Sequence, residues 1–466
     1  MSKVQPAKIS YFFGKGYTDL GNTIKGAWVR NIVDIKGQWE EVRENGLFSF
    51  RGFIAFIAVI CIAVFGSIIT AVVTVVHVAV LAFIFVIVYI SFSILWLIDR
   101  IYMLIHRISN ACPNPGCQAK FLLPAYKCPT CGRVHTMLTP SKYGILHRTC
   151  LCGTKLPTTF INGRSKLPAF CPECGESLAG DTGSRQYAIP VIGGPAVGKT
   201  CMINMAVRKM MTEIAPANQW EMTFATDTEK IEFDAIVGGM EKGIRPQKTD
   251  KDALTAYQLM IHLPNDKIGR RLYIYDISGE MFSESGTIQR NRAFSYADGF
   301  VFLIDPLTIP DFAMKVVDRI DVDSYGASTK DFDDIFDIML TNLQTLFGLK
   351  PDDVLKRDLA VVINKCDIPG LEEEIGDSAV QEYMAQNSDC KSTYEARNAV
   401  CKRFLDSNGE GNFVREADGQ FRKVQYFTCS ALGHNKEGVA FEGVHTEAPF
   451  LWILQRKDSK MKVAGI

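Results

Sequence analysis

Tyr187-Ala-Ile-Pro-Val-Ile-Gly-Gly-Pro-Ala-Val-Gly-Lys-Thr200 decides how this chain is read. Tyr187 to Ile192 is a short apolar run, Gly193 to Thr200 fits the pattern GxxxxGK[ST], and Cys201 to Ile214 has helical character. Strand, loop and helix in this order form the setting that the pattern requires. The loop amides and the helix N-terminus present N–H donors and partial positive charge, which suits phosphate oxygens. Gly193, Gly194, Pro195, Ala196, Val197, Gly198, Lys199, Thr200 and Cys201 are the expected cradle. Lys199 should reach the β- and γ-phosphates and Thr200 should coordinate Mg²⁺. The loop alone specifies a nucleoside triphosphate and no particular base.

Downstream, three more short motifs each end an apolar, strand-like run. Asp276-Ile-Ser-Gly279 follows Leu272 to Tyr275, Asn364-Lys-Cys-Asp367 follows Leu359 to Ile363, and Ser430-Ala-Leu432 follows Val424 to Thr428. In this order they resemble the Ras-like GTPases of the TRAFAC class, over about residues 184–457. The resemblance implies a doubly wound α/β sheet that binds GTP and GDP. It implies that Asp367 accepts from the guanine N1–H and exocyclic amine, Asn364 fixes the loop, and the Lys365 stem packs on the base. Ser430, Ala431 and Leu432 would supply the loop whose amide meets the guanine oxygen. Adenine carries the opposite donor and acceptor pattern, so ATP should be rejected. By the same resemblance Asp276 holds Mg²⁺ through water and the Gly279 amide senses the γ-phosphate.

The sequence departs from the family at three places. Glu280 stands where many relatives carry a water-orienting Gln, and a carboxylate beside a γ-phosphate is repelled unless protonated or bridged. Pro195 fills a loop position often held by glycine. The switch threonine, a further Mg²⁺ ligand, is best assigned to Thr249, with Thr226, Thr228 and Thr255 as competitors. Arg245 lies four residues earlier, where an arginine finger in cis would sit; a solvated arginine is the alternative reading. The stretches from Thr308 to Asp358 and from Pro369 to Lys423 exceed a minimal domain and should form extra helices for partner contact.

Between residues 109 and 183 eight of the fourteen cysteines fall in close pairs: Cys112 and Cys117, Cys128 and Cys131, Cys150 and Cys152, Cys171 and Cys174. Gly132, Gly153 and Gly175 follow three of these pairs, which lets backbone amides turn toward the sulfurs. Zinc takes four ligands in a tetrahedron, so two pairs make one site and two Zn²⁺ ions are expected. The simplest grouping is sequential, Cys112, Cys117, Cys128 and Cys131 against the remaining four; crossed groupings fit the same spacings. These segments resemble zinc ribbons, in which metal replaces a core too small to form unaided. Lys120, Lys127, Arg133, Lys142, Arg148, Lys155, Arg164 and Lys166 give the region a basic character, a solvated face or a nucleic-acid surface.

Phe53 to Ile98 contains no Asp, Glu, Lys or Arg. One straight helix over this run would measure about 69 Å, more than twice the roughly 30 Å hydrocarbon core. Two passes with a reversal between Thr70 and Val78 are therefore expected. Arg43, Arg51, Arg100 and Arg107 flank the run and put both termini on the cytosolic side. Trp28, Ile32, Ile35, Trp39 and Val42 recur at helical spacing, as in an amphipathic helix lying on a leaflet or packed on the protein. Net charge is zero, so no global field points to nucleic acid.

The expected organisation is an N-terminal segment 1–50, a transmembrane hairpin 51–108, a double zinc ribbon 109–183, a GTPase domain 184–457 and a tail 458–466. This order resembles bacterial membrane GTPases of signalling or defence systems, and so implies an inner-membrane protein with cytoplasmic domains. The expected function is a membrane-anchored GTPase switch acting on a protein effector or an activating partner. A non-hydrolysing GTP-binding scaffold and a nucleic-acid-binding ribbon effector are the alternatives.

Overall fold

The computed structural model describes residues 5–180, 182–246, 254–277, 292–350, 353–436 and 438–463. The chain divides into two compact units, 1–105 with 123–170, and 106–122 with 171–466. The segment 109–183, expected as one ribbon module, is thus shared between the two. Its outer ends belong to the second unit and its middle to the first.

In the first unit, helix α1 spans Lys15–Asn45 and the apolar helix α2 spans Phe50–Ile105, with one π-helical turn at Ile62–Gly66. The hairpin expected between Thr70 and Val78 is not formed; the helix runs straight through that stretch. The physical reason is composition. Ser67 to Ile98 holds no Gly, Pro, Asn or Asp to break a helix. Its punctuation is absorbed as well: Thr70 Oγ1 donates to Gly66 O at 2.9 Å, Thr74 Oγ1 to Thr70 O at 2.7 Å, and His77 Nδ1 lies 2.9 Å from Val73 O. The chain reverses earlier, at Gly46 to Ser49, where the Ser49 hydroxyl caps α2 by accepting from Gly52 N. α1 then packs back along α2, with Asn31 Nδ2 donating to Thr70 Oγ1 at 2.7 Å and Phe13 meeting Tyr89 edge-on. Val42 is buried, whereas Ile32 and Trp39 remain about half exposed. α2 is long and apolar enough to cross a membrane.

The second unit is built on a seven-stranded mixed sheet. Its strands are β1 (Arg185–Gly193), β2 (Glu221–Phe224), β3 (Leu254–His262), β4 (Arg270–Ile277), β5 (Gly299–Ile304), β6 (Leu355–Ile363) and β7 (Phe421–Thr428). Their order is β2-β3-β4-β1-β5-β6-β7. β4, β1, β5, β6 and β7 run parallel, while β3 is antiparallel to both β2 and β4. Both faces of its central strands are buried. Phe300, Phe302 and Ile304 join one apolar cluster with Val361 and Ile363, and the intervening Val301, Leu303 and Val362 join another on the opposite face. A period of two with both sets apolar gives the near-continuous hydrophobic runs seen in the sequence. β4 lies on one side of β1 and β5 on the other. The sheet therefore changes direction at the carboxyl end of β1, where open α/β sheets leave a crevice for ligands.

Candidate nucleotide site and cysteine clusters

Residues 193–200 occupy that crevice, between β1 and helix α3 (Lys199–Lys209). Gly198 has φ +93°, and a Cβ there would lie 2.6 Å from the Asn364 amide nitrogen, so both backbone and space require glycine. Ala196 also holds a positive φ, of 59°. Lys199 is buried and its ammonium donates to Gly193 O at 2.8 Å and Gly194 O at 2.7 Å. Burial pushes Lys199 down to about 8, and only Asp276 opposes the shift.

Asp276, next to last in β4, accepts from the Thr200 hydroxyl at 2.6 Å. It is buried, and burial raises its pKa despite Lys199 and Thr200. A carboxylate and a hydroxyl side by side offer hard oxygen donors, and the unfavourable burial of the carboxylate is relieved by a cation.

Asn364 binds three loops together. Its Nδ2 donates to Val197 O at 2.7 Å, while its Oδ1 accepts from Ala431 N at 3.1 Å and lies 3.2 Å from Cys429 Sγ. Asp367 accepts from the Ser430 hydroxyl at 2.6 Å, and Ser430 in turn accepts from Gly433 N. Leu432, next to them, accepts from Glu442 N. The phosphate-type loop and the segments at 364–367 and 430–432 thus form one constellation. Lys365 donates to Asp305 Oδ2 at 2.6 Å and to Gly326 O. Sequence reasoning missed Asp305 as a site residue. It is buried at the end of β5 and also accepts from Ser328 N and Leu307 N. An acid directly before Pro306 at the end of an apolar strand was the available signal.

Thr249, Gly279 and Glu280 lie outside the described residues. Among the competitors, Thr226 is the N-cap of helix α4 (Asp227–Met240), accepting from Glu229 N, and Thr228 lies within that helix. Arg245 donates to Ser324 O at 2.8 Å and to Asn435 Oδ1. Its side chain is exposed apart from these two contacts.

The cysteines form two groups, Cys112, Cys117, Cys171 and Cys174, and Cys128, Cys131, Cys150 and Cys152. The sequential grouping is therefore wrong: the two outer pairs share one group and the two inner pairs the other. The two middle pairs sit in adjacent turns, one after Ala125–Lys127 and one after His147–Thr149, and they close on each other. The outer pairs are left to meet where Asn110–Ala111 and Lys120–Phe121 form their own ribbon. Spacing is blind to this nesting.

Within the first group sulfurs lie 3.4 Å (Cys112 to Cys174) and 3.8 Å (Cys117 to Cys171) apart. In the second they lie 3.6 Å (Cys128 to Cys152) and 3.5 Å (Cys131 to Cys150) apart. A zinc tetrahedron with Zn–S of about 2.3 Å places its sulfurs roughly 3.8 Å apart, whereas a disulfide requires about 2.05 Å. The separations fit a four-thiolate metal site, and all fourteen cysteines are free thiols. Gly132, Gly153 and Gly175 hold φ of 69°, 100° and 81°, the left-handed turn that brings their amides back over the knuckles.

The first group is tied to the sheet. Gln118 accepts from Ala293 N at 3.0 Å, Arg292 pairs with Glu173 at 2.7 Å, and Tyr273 donates to Ala111 O at 3.3 Å. The second group shares its unit with α2. There Asp99 and Arg164, both about 1% exposed, pair at 2.9 Å, and Asp99 also accepts from Phe160 N. Arg148 is buried as well and donates to Met137 O. Two of the eight basic residues expected on one face are therefore interior props.

A protein-family model described as Double-GTPase 2 matches residues 187–416. The match supports a GTPase domain and takes in the loop at 193–200, Asp276 and the 364–367 segment, with Ser430 and Ala431 beyond its end. No curated protein matches the chain.

Proposed function

We propose that the chain is a membrane-anchored GTPase of Ras-like, doubly wound type that uses GTP as a switch toward a protein effector or an activating partner. One observation carries the reading: Asn364 joins Val197 in the phosphate-type loop to Ala431 in the base-type loop through two hydrogen bonds. Three short motifs, each weak alone, meet in one crevice at the switch point of the sheet.

In this reading the amides of 193–200 and the N-terminus of α3 hold the phosphates. The Lys199 ammonium, now on the Gly193 and Gly194 carbonyls, turns to the β- and γ-oxygens, which restore its ordinary basicity. Thr200 and Asp276 are the side chains that would hold Mg²⁺, which when bound neutralises charge on the phosphate oxygens. Asp367, oriented by Ser430, accepts from the guanine edge, and Asp305 fixes the Lys365 stem beside the base. The eight paired cysteines hold two Zn²⁺ ions as structural centres. α2 supplies the anchor, as one helix in place of two passes.

The test is phosphate release by the full-length chain in detergent with GTP and Mg²⁺. Wild type should turn over GTP, and Lys199→Ala should lose at least about a hundredfold of the rate. GTP binding without any release, alone or with cell extract added, would reject hydrolysis and leave the GTP-binding scaffold, which Glu280 in place of the family's water-orienting Gln favours.

A further inference from the structure

At the amino ends of β5 and β6, opposite the crevice, lies a cleft of about 430 Å³. Lys120, Ser295, Tyr296, Asp298, Arg357 and Lys457 line it. Its charges do not cancel locally. Among the described residues neither Lys120 nor Arg357 has a carboxylate within ion-pair distance. The Lys120 ammonium rests 5.4 Å from the Tyr296 ring centre, and Arg357 lies over Phe347 with a buried Nε that lacks a hydrogen-bond partner. Lys457 approaches Asp358 at 3.6 Å, but that carboxylate already pairs with Arg422 at 2.6 Å and Arg456 at 3.2 Å. Asp298, the one acid in the lining, is turned inward and accepts from Ala188 N at 3.0 Å. Burial raises the Asp298 pKa, and Lys457, Lys120 and Arg357 all pull against that rise. The same burial lowers Lys457, whose two acidic neighbours do not fully compensate it.

We propose that this cleft is a second ligand site, separate from the nucleotide crevice, which binds a phosphate-bearing anion between Lys120, Arg357 and Lys457. Three cations around a cleft with one inward-facing acid are an oxyanion site by charge, and ammonium and guanidinium donors are the groups that bind phosphate. Its place in the chain bears on the source of the anion. Arg107 comes two residues after the end of α2 and donates to Lys457 O at 3.5 Å. α2 is long and apolar enough to cross a membrane, so a phospholipid headgroup is one source of such an anion. A soluble phosphate compound is the other source.

The experiment titrates the full-length chain in neutral detergent with inorganic phosphate in one arm, and with short-chain phosphatidic acid against phosphatidylcholine in the other. Wild type is compared with Lys120→Ala/Arg357→Ala and with the charge-preserving Lys120→Arg/Arg357→Lys. Binding at residues 193–200 is common to all three proteins and cancels, so the outcome is independent of the GTP reading. The alanine pair should lose about tenfold or more in affinity while the charge-preserving pair and the unfolding midpoint hold. An effect in both arms means that a free oxyanion suffices; an effect with phosphatidic acid alone assigns the site to a lipid headgroup. No binding in either arm, or equal affinity in the alanine pair, overturns the proposal.

Discussion

At the scale of single residues, a few side chains connect the loops of the crevice. Asp367→Ala should lower GTP affinity roughly a hundredfold, because two hydrogen bonds to a charged acceptor are removed together. Ser430→Ala leaves the carboxylate in place but unoriented, so about a tenfold loss is expected, measured by the same titration. Gly198→Ala puts a methyl on the Asn364 amide at a left-handed position. It should cost at least about 1–2 kcal/mol of stability, read as a lower unfolding midpoint before any nucleotide is added. These residues were legible because each motif ends an apolar strand and names its own chemistry. Asp305 was not, since its role comes from a lysine 60 residues away that only the fold brings near. The acid–base partners Asp99 and Arg164 were hidden for the same reason. Their burial comes from packing the ribbon on α2, and a sequence shows only an acid at a helix end and a base in a basic region.

At the scale of elements, the strands, the loop at 193–200 and the cysteine knuckles were readable from period and spacing. What failed was pairing. Knuckle spacing sets which sulfurs are neighbours along the chain, but the nesting of one ribbon inside another decides which four share an ion. Cys112→Ser/Cys128→Ser discriminates the groupings directly. With the groups seen here each substitution damages a different centre, so native mass spectrometry should show both zinc ions lost. The sequential grouping would leave one ion bound. The expected hairpin failed on a different point: length alone suggested two passes, yet a turn needs residues that break a helix, and Ser67 to Ile98 has none. The reversal was encoded at Gly46 to Ser49, where a positive-φ glycine and a capping serine stand together.

At the scale of the whole molecule, buried carboxylates hold the amino-terminal edge of the sheet. Asp458 pairs with Arg185 at 3.2 Å and Arg270 at 3.0 Å and accepts from Tyr187 at 3.1 Å. Burial alone would raise its pKa, but the Lys460 amide and Arg270 outweigh it and hold it below the usual carboxylate value. A depressed carboxylate contributes stability that is complete above its unfolded value, about 4, and is lost as pH falls through the folded value. The unfolding midpoints of wild type and Asp458→Asn should therefore differ most at neutral pH and converge below about pH 4. The proposed guanine site is the crevice at the other edge. Its most direct test is Mg²⁺-dependent binding of labelled GTP to the full-length chain, competed by unlabelled GDP and ATP. Displacement by GDP and at least a hundredfold weaker competition by ATP are expected. Equal competition by ATP would contradict a guanine site, because Asp367 and Asn364 would then not be reading guanine.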